Sequence, residues 1–148
     1  MQTRIAKLLL FALAIAVVAA AAGDLFVGTW KLNVAKSKFS PGPPPKSMTV
    51  TIEPGGKCSV QEVTADGKES SWGFTASGDT PATITGMENS TVIEKRTERT
   101  VDHAWNMGGT AMTGHGVLSK NGKVMTYTLK GKNEKGEEVH NVEVYDKQ

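Results

Sequence analysis

Residues 26–33 read Phe26-Val27-Gly28-Thr29-Trp30-Lys31-Leu32-Asn33, and this stretch predicts the first strand of a sheet. Every second residue from Phe26 to Leu32 falls on one face, which carries both aromatic side chains, while Val27, Thr29 and Lys31 fall on the other. Such alternation is typical of a strand with one buried face. We interpret the later segments of the chain as further strands of the same sheet.

Short alternating segments follow, separated by turn sequences such as Asp66-Gly67, Gly108-Gly109 and Asn121-Gly122, which favour tight hairpins. The predicted strands cover 47–53, 57–64, 70–74, 81–87, 91–98, 100–107, 110–118, 124–130 and 138–145. No segment has a helical period long enough for the crossovers that parallel sheets need, so the sheet should be antiparallel. The sequence therefore predicts an all-β fold, a single antiparallel up-and-down β-barrel of 8–10 strands. A two-sheet β-sandwich is the alternative, because counting hairpins does not reveal closure.

The first 23 residues predict a signal peptide, with Arg4 and Lys7 before an apolar run over 8–19 and the small residues Ala20-Ala21-Ala22 after it. The run is short for a membrane span, and an uncleaved anchor is the less favoured alternative. We expect an exported protein, periplasmic or extracellular, with no membrane span after cleavage. Residues 24–148 then form one domain.

Composition excludes some classes of partner. Removal of Arg4 and Lys7 leaves 15 basic residues against 15 acidic ones, and this neutral balance argues against nucleic-acid binding. Cys58 is the single cysteine, so no intrachain disulfide can form. Its surroundings in the sequence favour a buried thiol over a nucleophile.

Residues 34–47 contain four prolines, at positions 41, 43, 44 and 45, which disfavour both helix and sheet interior. We call this segment the strap. The prolines favour an extended conformation that carries the chain across one end of the barrel. Docking of an aromatic-lined protein partner is the alternative.

The opening strand resembles that of the intracellular fatty-acid-binding proteins, and Gly28-Thr29-Trp30 matches the Gly-x-Trp signature of lipocalins. Val144-Tyr145-Asp146-Lys147 is similar to the Tyr-Glu-Lys close of the fatty-acid-binding chains. The chain after its leader also resembles small exported bacterial proteins with a Gly-Thr-Trp-Lys-Leu-Asn start and an Asn-Val-x-Val-Tyr close. The resemblance implies a lipocalin-like barrel in which Gly28 and Trp30 are structural and Trp30 plugs one end.

Two departures from the fatty-acid-binding pattern affect the expected entrance and ligand. Those chains place a helix-turn-helix lid after the first strand, where this chain has the strap, so the entrance should be built differently. Their last strand carries Arg-x-Tyr for the lipid carboxylate, and this chain has Glu143-Val144-Tyr145 there. A carboxylate at Glu143 predicts repulsion of an anionic ligand unless another group compensates.

Aromatic, sulfur-containing and polar side chains at inward-facing positions predict a ligand-binding interior. The candidate lining residues are Trp72, Phe74, Arg96, His103, Trp105, Met107, Met125, Tyr127 and Tyr145. These side chains either line a cavity or fill it, because a barrel of this size holds its own side chains or one small ligand. Periodicity allows either Glu94 with Arg96 or Lys95 with Thr97 to point inward. A solvent-facing strand with alternating charges is the favoured alternative at this position.

Nothing in the spacing of His103, His115 and His140 predicts a metal site, since the chain lacks His-x-His, His-x-x-x-His and Cys-x-x-Cys patterns. We expect no metal, no cofactor and no catalytic residue. An unrecognised enzyme would instead bring His103 or His115 together with Glu94 or Glu143 inside the barrel.

The functional prediction is an exported protein that binds or carries a small hydrophobic or amphipathic molecule, and not an enzyme. The alternative is a protein-interaction module or inhibitor of the cell envelope. That alternative predicts a filled barrel and an exposed apolar patch near Phe39 and the prolines.

Overall fold

The computed structural model of the protein describes residues 23–148. The predicted signal peptide, apart from Gly23, lies outside the described residues. Within the described range, no helix is long and apolar enough to cross a membrane. The longest helical segment there is a single turn of 3-10 helix, Val34–Lys36.

Ten β-strands account for most of residues 23–148, and all ten belong to one antiparallel sheet. They are β1 (Gly28–Leu32), β2 (Ser47–Ile52), β3 (Lys57–Val63), β4 (Glu69–Thr75), β5 (Ala82–Thr83), β6 (Thr91–Arg96), β7 (Thr100–Met107), β8 (Thr110–Leu118), β9 (Val124–Lys132) and β10 (Glu138–Lys147). The spatial order is β4-β3-β2-β1-β10-β9-β8-β7-β6-β5. Strands that are consecutive in sequence therefore pair in the sheet, except β4 and β5, and the first and last strands, β1 and β10, pair with each other.

The sheet curls into a nearly closed barrel. β1 pairs with both β2 and β10, with Trp30 opposite Val50 on one side and Lys147 on the other. The remaining gap lies between β4 and β5, where Gly73 and Thr85 exchange two backbone hydrogen bonds of 3.0 and 2.8 Å. Closure leaves few unpaired edge groups. The up-and-down barrel is confirmed, and the two-sheet sandwich is not what the chain forms.

The strand predicted over 81–87 is much shorter, since only Ala82–Thr83 pairs with β6. Its second half leaves β6 because Thr85 turns its backbone towards β4 to close the barrel. The strand predicted over 91–98 ends at Arg96, where Thr97 and Thr100 form a tight turn through backbone and hydroxyl hydrogen bonds.

Trp30 is fully buried, and its indole Nε1 donates a hydrogen bond of 2.8 Å to the carbonyl oxygen of Phe26. The Lys147 Nζ lies 5.1 Å from the centre of the indole ring. Gly28 has a φ of 140°, and a Cβ there would lie 2.8 Å from Lys147 Cε. Trp30 does not line the cavity described below, and its buried, hydrogen-bonded position is the geometry that a structural role predicts.

The strap continues the sheet beyond the end of β1. Lys38 and Val142 exchange two backbone hydrogen bonds of 2.7 and 2.8 Å, and the Ser40 carbonyl accepts one of 2.9 Å from His140 N. This pairing stops where the prolines begin, since proline has no N–H to donate. Ser47 already belongs to β2, so the strap ends one residue earlier than predicted.

Candidate functional site

A cavity of about 590 Å³ occupies the barrel interior. Its wall is mainly apolar and comes mostly from β2–β4, from β6–β10 and from three strap residues, Phe39, Pro43 and Pro45. Phe39 is half-buried and Pro45 is buried, so the strap forms part of the wall. The volume is typical of a pocket for one small molecule. The barrel is therefore open inside, and its own side chains do not fill it.

All nine residues predicted to line the interior lie on the cavity wall. They are Trp72, Phe74, Arg96, His103, Trp105, Met107, Met125, Tyr127 and Tyr145. Three of their rings cluster edge to face: Trp105 lies 5.8 Å from Trp72 and 5.6 Å from Phe74 between ring centres. Whether these residues contact a ligand stays a prediction.

Several residues on the cavity wall were not predicted from the sequence, although the pairing of the strands places them there. Met112 lies opposite Trp105 in the β7–β8 hairpin, so counting out from Gly108-Gly109 was sufficient to find it. Met48 lies on the same face of β2 as Val50, and Asn141 lies on the same face of β10 as Tyr145. The two-residue alternation of the strands indicates that these residues face inward. The prediction left them out because it favoured aromatic side chains.

The first polar group on the wall is a chain of hydrogen bonds across β6, β7 and β9. Trp105 Nε1 donates to Tyr127 Oη at 2.8 Å, and Tyr127 Oη lies 2.9 Å from His103 Nδ1. His103 Nε2 lies 2.9 Å from Glu94 Oε2. Because an ionised carboxylate only accepts hydrogen bonds, we assign the donor to His103 Nε2 and let the Tyr127 hydroxyl donate to Nδ1.

Arg96 completes this group and balances its charge. Its Nε lies 2.6 Å from Glu94 Oε1, although the N–H is not aimed well enough to form a hydrogen bond. Its Nη1 lies 2.9 Å from Asp24 Oδ2, and the guanidinium sits 5.3 Å from the centre of the Phe26 ring. Burial raises the pKa of Glu94, but the contacts with His103 and Arg96 outweigh it, so the pKa lies below its ordinary value.

This geometry decides which face of β6 points inward. Glu94 and Arg96 line the cavity, while Lys95 is exposed and lies 3.5 Å from the carboxylate of Asp79 outside. The favoured interpretation of a solvent-facing, charge-alternating strand is therefore wrong for this face. Inward charges are tolerated here because each one faces a partner.

Two glycines of β8 make room for Tyr127. A Cβ on Gly114 would lie 1.7 Å from Tyr127 Oη, and a Cβ on Gly116 would lie 3.2 Å from its Cδ2. The tyrosine therefore lies across the bare backbone of β8 and reaches His103 and Trp105 on β7. A Gly-x-Gly alternation within a predicted strand is the sequence signal for such a close approach.

The second polar group surrounds Glu143, which is only 6% exposed. The Tyr145 hydroxyl donates to Glu143 Oε2 at 2.6 Å and also lies 3.1 Å from Met48 Sδ. Asn141 Nδ2 makes a long contact of 3.4 Å with Oε1. No lysine, arginine or histidine in the described part of the chain forms an ion pair with Glu143. Burial raises its pKa, and the carboxyl group of Glu62 adds to the rise.

An unrecognised enzyme was expected to bring a histidine and a glutamate together inside the barrel, and His103 and Glu94 do meet there. Both ring nitrogens of His103 are already engaged, however: Nε2 with Glu94 and Nδ1 with the hydroxyl of Tyr127. Burial raises the pKa of Cys58 to about 12 and that of Tyr127 well above its ordinary value. The pair therefore has no activated nucleophile beside it on the described wall.

The other two histidines lie outside the barrel. His115 pairs with Asp102 across the hairpin, one residue from the level of His103 as expected, and His115 Nδ1 lies 2.6 Å from Asp102 Oδ1. His140 is exposed on β10. Over residues 23–148, no three His, Cys, Asp or Glu side chains come together as metal ligands.

No protein-family model matches the chain, and no curated protein matches it. Solved structures do. Fatty-acid-binding protein 1 of Echinococcus granulosus is similar over 83% of this chain and 97% of its own, with a TM-score of 0.55 and 16% identity.

The fluorescent protein UnaG is also similar. A single-residue mutant of UnaG covers 84% of this chain and 96% of its own, with a TM-score of 0.55 and 15% identity. Wild-type UnaG covers 83% and 97%, with a TM-score of 0.51 and 14% identity. At such identities the likeness establishes the architecture alone. Residues 23–148 therefore have the lipocalin-like barrel fold found in fatty-acid-binding protein.

Proposed function

We propose that the protein binds one small apolar or amphipathic molecule inside its barrel and carries it outside the cytoplasm. The observation that supports this most is the cavity of about 590 Å³, with an apolar wall and a few buried polar groups that can orient a ligand. The export component rests on the charged and apolar leader of residues 1–23.

Two further observations support binding over catalysis. A protein of the same fold is named for fatty-acid binding. The indole Nε1 of Trp72 is buried and has no hydrogen-bond partner among the described residues, and this side chain lines the cavity. A buried donor without a partner costs free energy, and an acceptor on a bound molecule would recover it.

The protein-interaction alternative has less support. It predicts a filled barrel, whereas the interior is open, and Phe39 lines the cavity. Val117 is the one large apolar side chain of the described chain that is strongly exposed, at 42%, although three of the four strap prolines are exposed.

The test is native mass spectrometry of the protein purified from its own host, followed by extraction of any retained molecule. We expect a stoichiometric apolar or amphipathic compound. An apo mass that does not increase on addition of a panel of lipids would overturn the proposal. The mass of the exported form also reports whether the leader has been removed.

A pair of variants on β9 separates the interior from the surface. Leu129→Trp places a large ring in the cavity, whereas Thr126→Trp places it on the exposed face of the same strand. We expect the first to abolish ligand retention and the second to leave it unchanged. Equal retention by both variants would mean that the ligand binds elsewhere.

A further inference from the structure

The charges on the cavity wall are unequal. Four wall residues are acidic, namely Glu62, Asp66, Glu94 and Glu143, and Arg96 is the one lysine or arginine among the described wall residues. Arg96 is already held by the carboxylates of Glu94 and Asp24. The wall therefore presents no uncommitted cation to an anionic ligand.

Glu143 has acceptor capacity that the protein leaves unused. Its Oε2 takes the strong hydrogen bond from Tyr145, but its Oε1 has only the long contact with Asn141. A carboxylate oxygen accepts more than one hydrogen bond. Glu143 therefore lacks both a counter-charge and a full set of donors, although it is 6% exposed and lies on the cavity wall.

Glu62 strengthens the negative potential at this end of the cavity. It lies on β3 opposite Met48 of β2, and Met48 Sδ in turn contacts the Tyr145 hydroxyl that binds Glu143. Glu62 makes no ion pair with any described residue. Two carboxyl groups without a basic partner thus line one part of the cavity wall.

We propose that the ligand is a cationic amphiphile, whose protonated amine binds the Glu143 carboxylate while its apolar part fills the rest of the cavity. The proposal rests on the proposed function, since it names the ligand class of the same cavity. An ammonium group supplies the missing charge and the missing N–H donor together. A fatty-acid anion would lie beside two carboxyl groups, those of Glu143 and Glu62, with no uncommitted cation on the wall to bind it.

The test compares three ligands of equal chain length: decylamine, decan-1-ol and decanoate. Each is titrated into the purified protein at neutral pH and low ionic strength, below its micelle concentration. Binding is followed by the fluorescence of Trp72 and Trp105, which line the cavity, and by calorimetry. We expect decylamine to bind about tenfold more tightly than decan-1-ol, and decanoate to bind most weakly.

Glu143→Gln keeps the shape of the side chain and removes its charge. We expect it to weaken decylamine binding about tenfold while leaving decan-1-ol affinity within about twofold. Glu138→Gln on the same strand is the matched control, because Glu138 is exposed and outside the cavity. If Glu143→Gln does not fold, judged by its thermal melting curve, Glu62→Gln removes the neighbouring carboxyl group and should weaken the binding of decylamine but not that of decan-1-ol.

Three outcomes would overturn this inference. Decanoate that binds as tightly as decylamine, or a preference for decylamine that survives Glu143→Gln, would show that Glu143 does not select the ligand. A host ligand without a basic nitrogen would overturn it as well, while leaving the binding function intact. Failure of all three compounds and of the lipid panel to bind would remove the binding function itself.

Discussion

Glu94 and Glu143 are two buried glutamates on the wall of one cavity, 9% and 6% exposed, yet their pKa values move in opposite directions. The pKa of Glu94 lies below its ordinary value and that of Glu143 lies above it. Burial raises the pKa of both carboxyl groups, so burial alone does not determine the direction of the net shift. The difference comes from the groups placed against each carboxylate.

Glu94 Oε2 accepts a hydrogen bond from His103, and the guanidinium of Arg96 places a full positive charge 2.6 Å from Oε1. Asp24 takes the other side of that guanidinium. Glu143 has only neutral donors and a second carboxyl group, that of Glu62, close enough to oppose its ionisation. Glu94 has its counter-charge within the protein, whereas Glu143 has none among the described residues.

Removal of Arg96 should reduce the stability of the fold more than the other substitutions, because it would leave Glu94 as a buried charge without its cation. We expect Arg96→Met to lower the free energy of unfolding by about 3 kcal/mol near neutral pH. Since the lowered pKa of Glu94 stabilises the fold above the ordinary value of 4.5 and this stabilisation fades on acidification, the loss should shrink as pH falls. Urea denaturation at several pH values measures it.

Lys95→Met is the control, because Lys95 is the adjacent cation and its ion pair is exposed. It should cost less than about 0.5 kcal/mol. Equal losses for Arg96→Met and Lys95→Met would contradict a special role for the interior pair.

Disruption of the packing of Tyr127 against β8 should cause the second-largest loss of stability. Gly114→Ala puts a Cβ where the Tyr127 hydroxyl lies, so the tyrosine must leave His103 and Trp105. We expect a loss of about 2 kcal/mol in the free energy of unfolding. Thr113→Ala, the next residue on the strand and outside the cavity, is the control. A variant Gly114→Ala of unchanged stability would mean that Tyr127 has another position of equal energy.

Glu143→Gln should stabilise the protein without ligand, which is the opposite of Glu94→Gln. A raised pKa means that the folded state holds its proton more tightly, so stability falls as pH rises from 4.5 through the pKa of the folded state. Replacement by glutamine removes that loss while keeping an acceptor for Tyr145. We expect a gain of about 1 kcal/mol near neutral pH and almost none below pH 4.5. Thermal melting at both pH values measures it, and destabilisation at neutral pH would show that Glu143 is better paired than its contacts indicate.

The fold was largely predictable because its signals are local. Alternation from Phe26 to Leu32 and the glycine turns predicted the strands, and the lack of helical segments predicted antiparallel pairing. The boundary that differs most from its prediction, at residues 81–87, depends on a contact between Thr85 and Gly73 of β4. A partner distant in the sequence leaves no trace in a local pattern.

The polar residues of the cavity were also only partly predictable from the local sequence. Periodicity placed Glu94 and Arg96 on one face of β6, but not on the inner face, because both faces of that strand carry charges. The inner face is set by Asp24 and His103, which come from elsewhere in the chain. Glu143 was conspicuous from its position beside Tyr145, whereas its lack of a counter-charge is a property of the assembled cavity.

Disruption of the exposed pair Asp102 and His115 should have the smallest effect on stability. This pair is a control for the buried pair Glu94 and His103. The contact of the exposed pair, at 2.6 Å, is shorter than the 2.9 Å contact between Glu94 and His103. The side chains of Asp102 and His115 are 58% and 52% exposed, however, against 5% and 10% for the interior pair. Water therefore competes for every hydrogen bond that the outer pair makes, and we expect His115→Ala to change the free energy of unfolding by less than about 0.5 kcal/mol. A loss in urea denaturation that approaches that of Arg96→Met would mean that contact distance outweighs burial in this barrel, and the contrast between Glu94 and Glu143 would then need another cause.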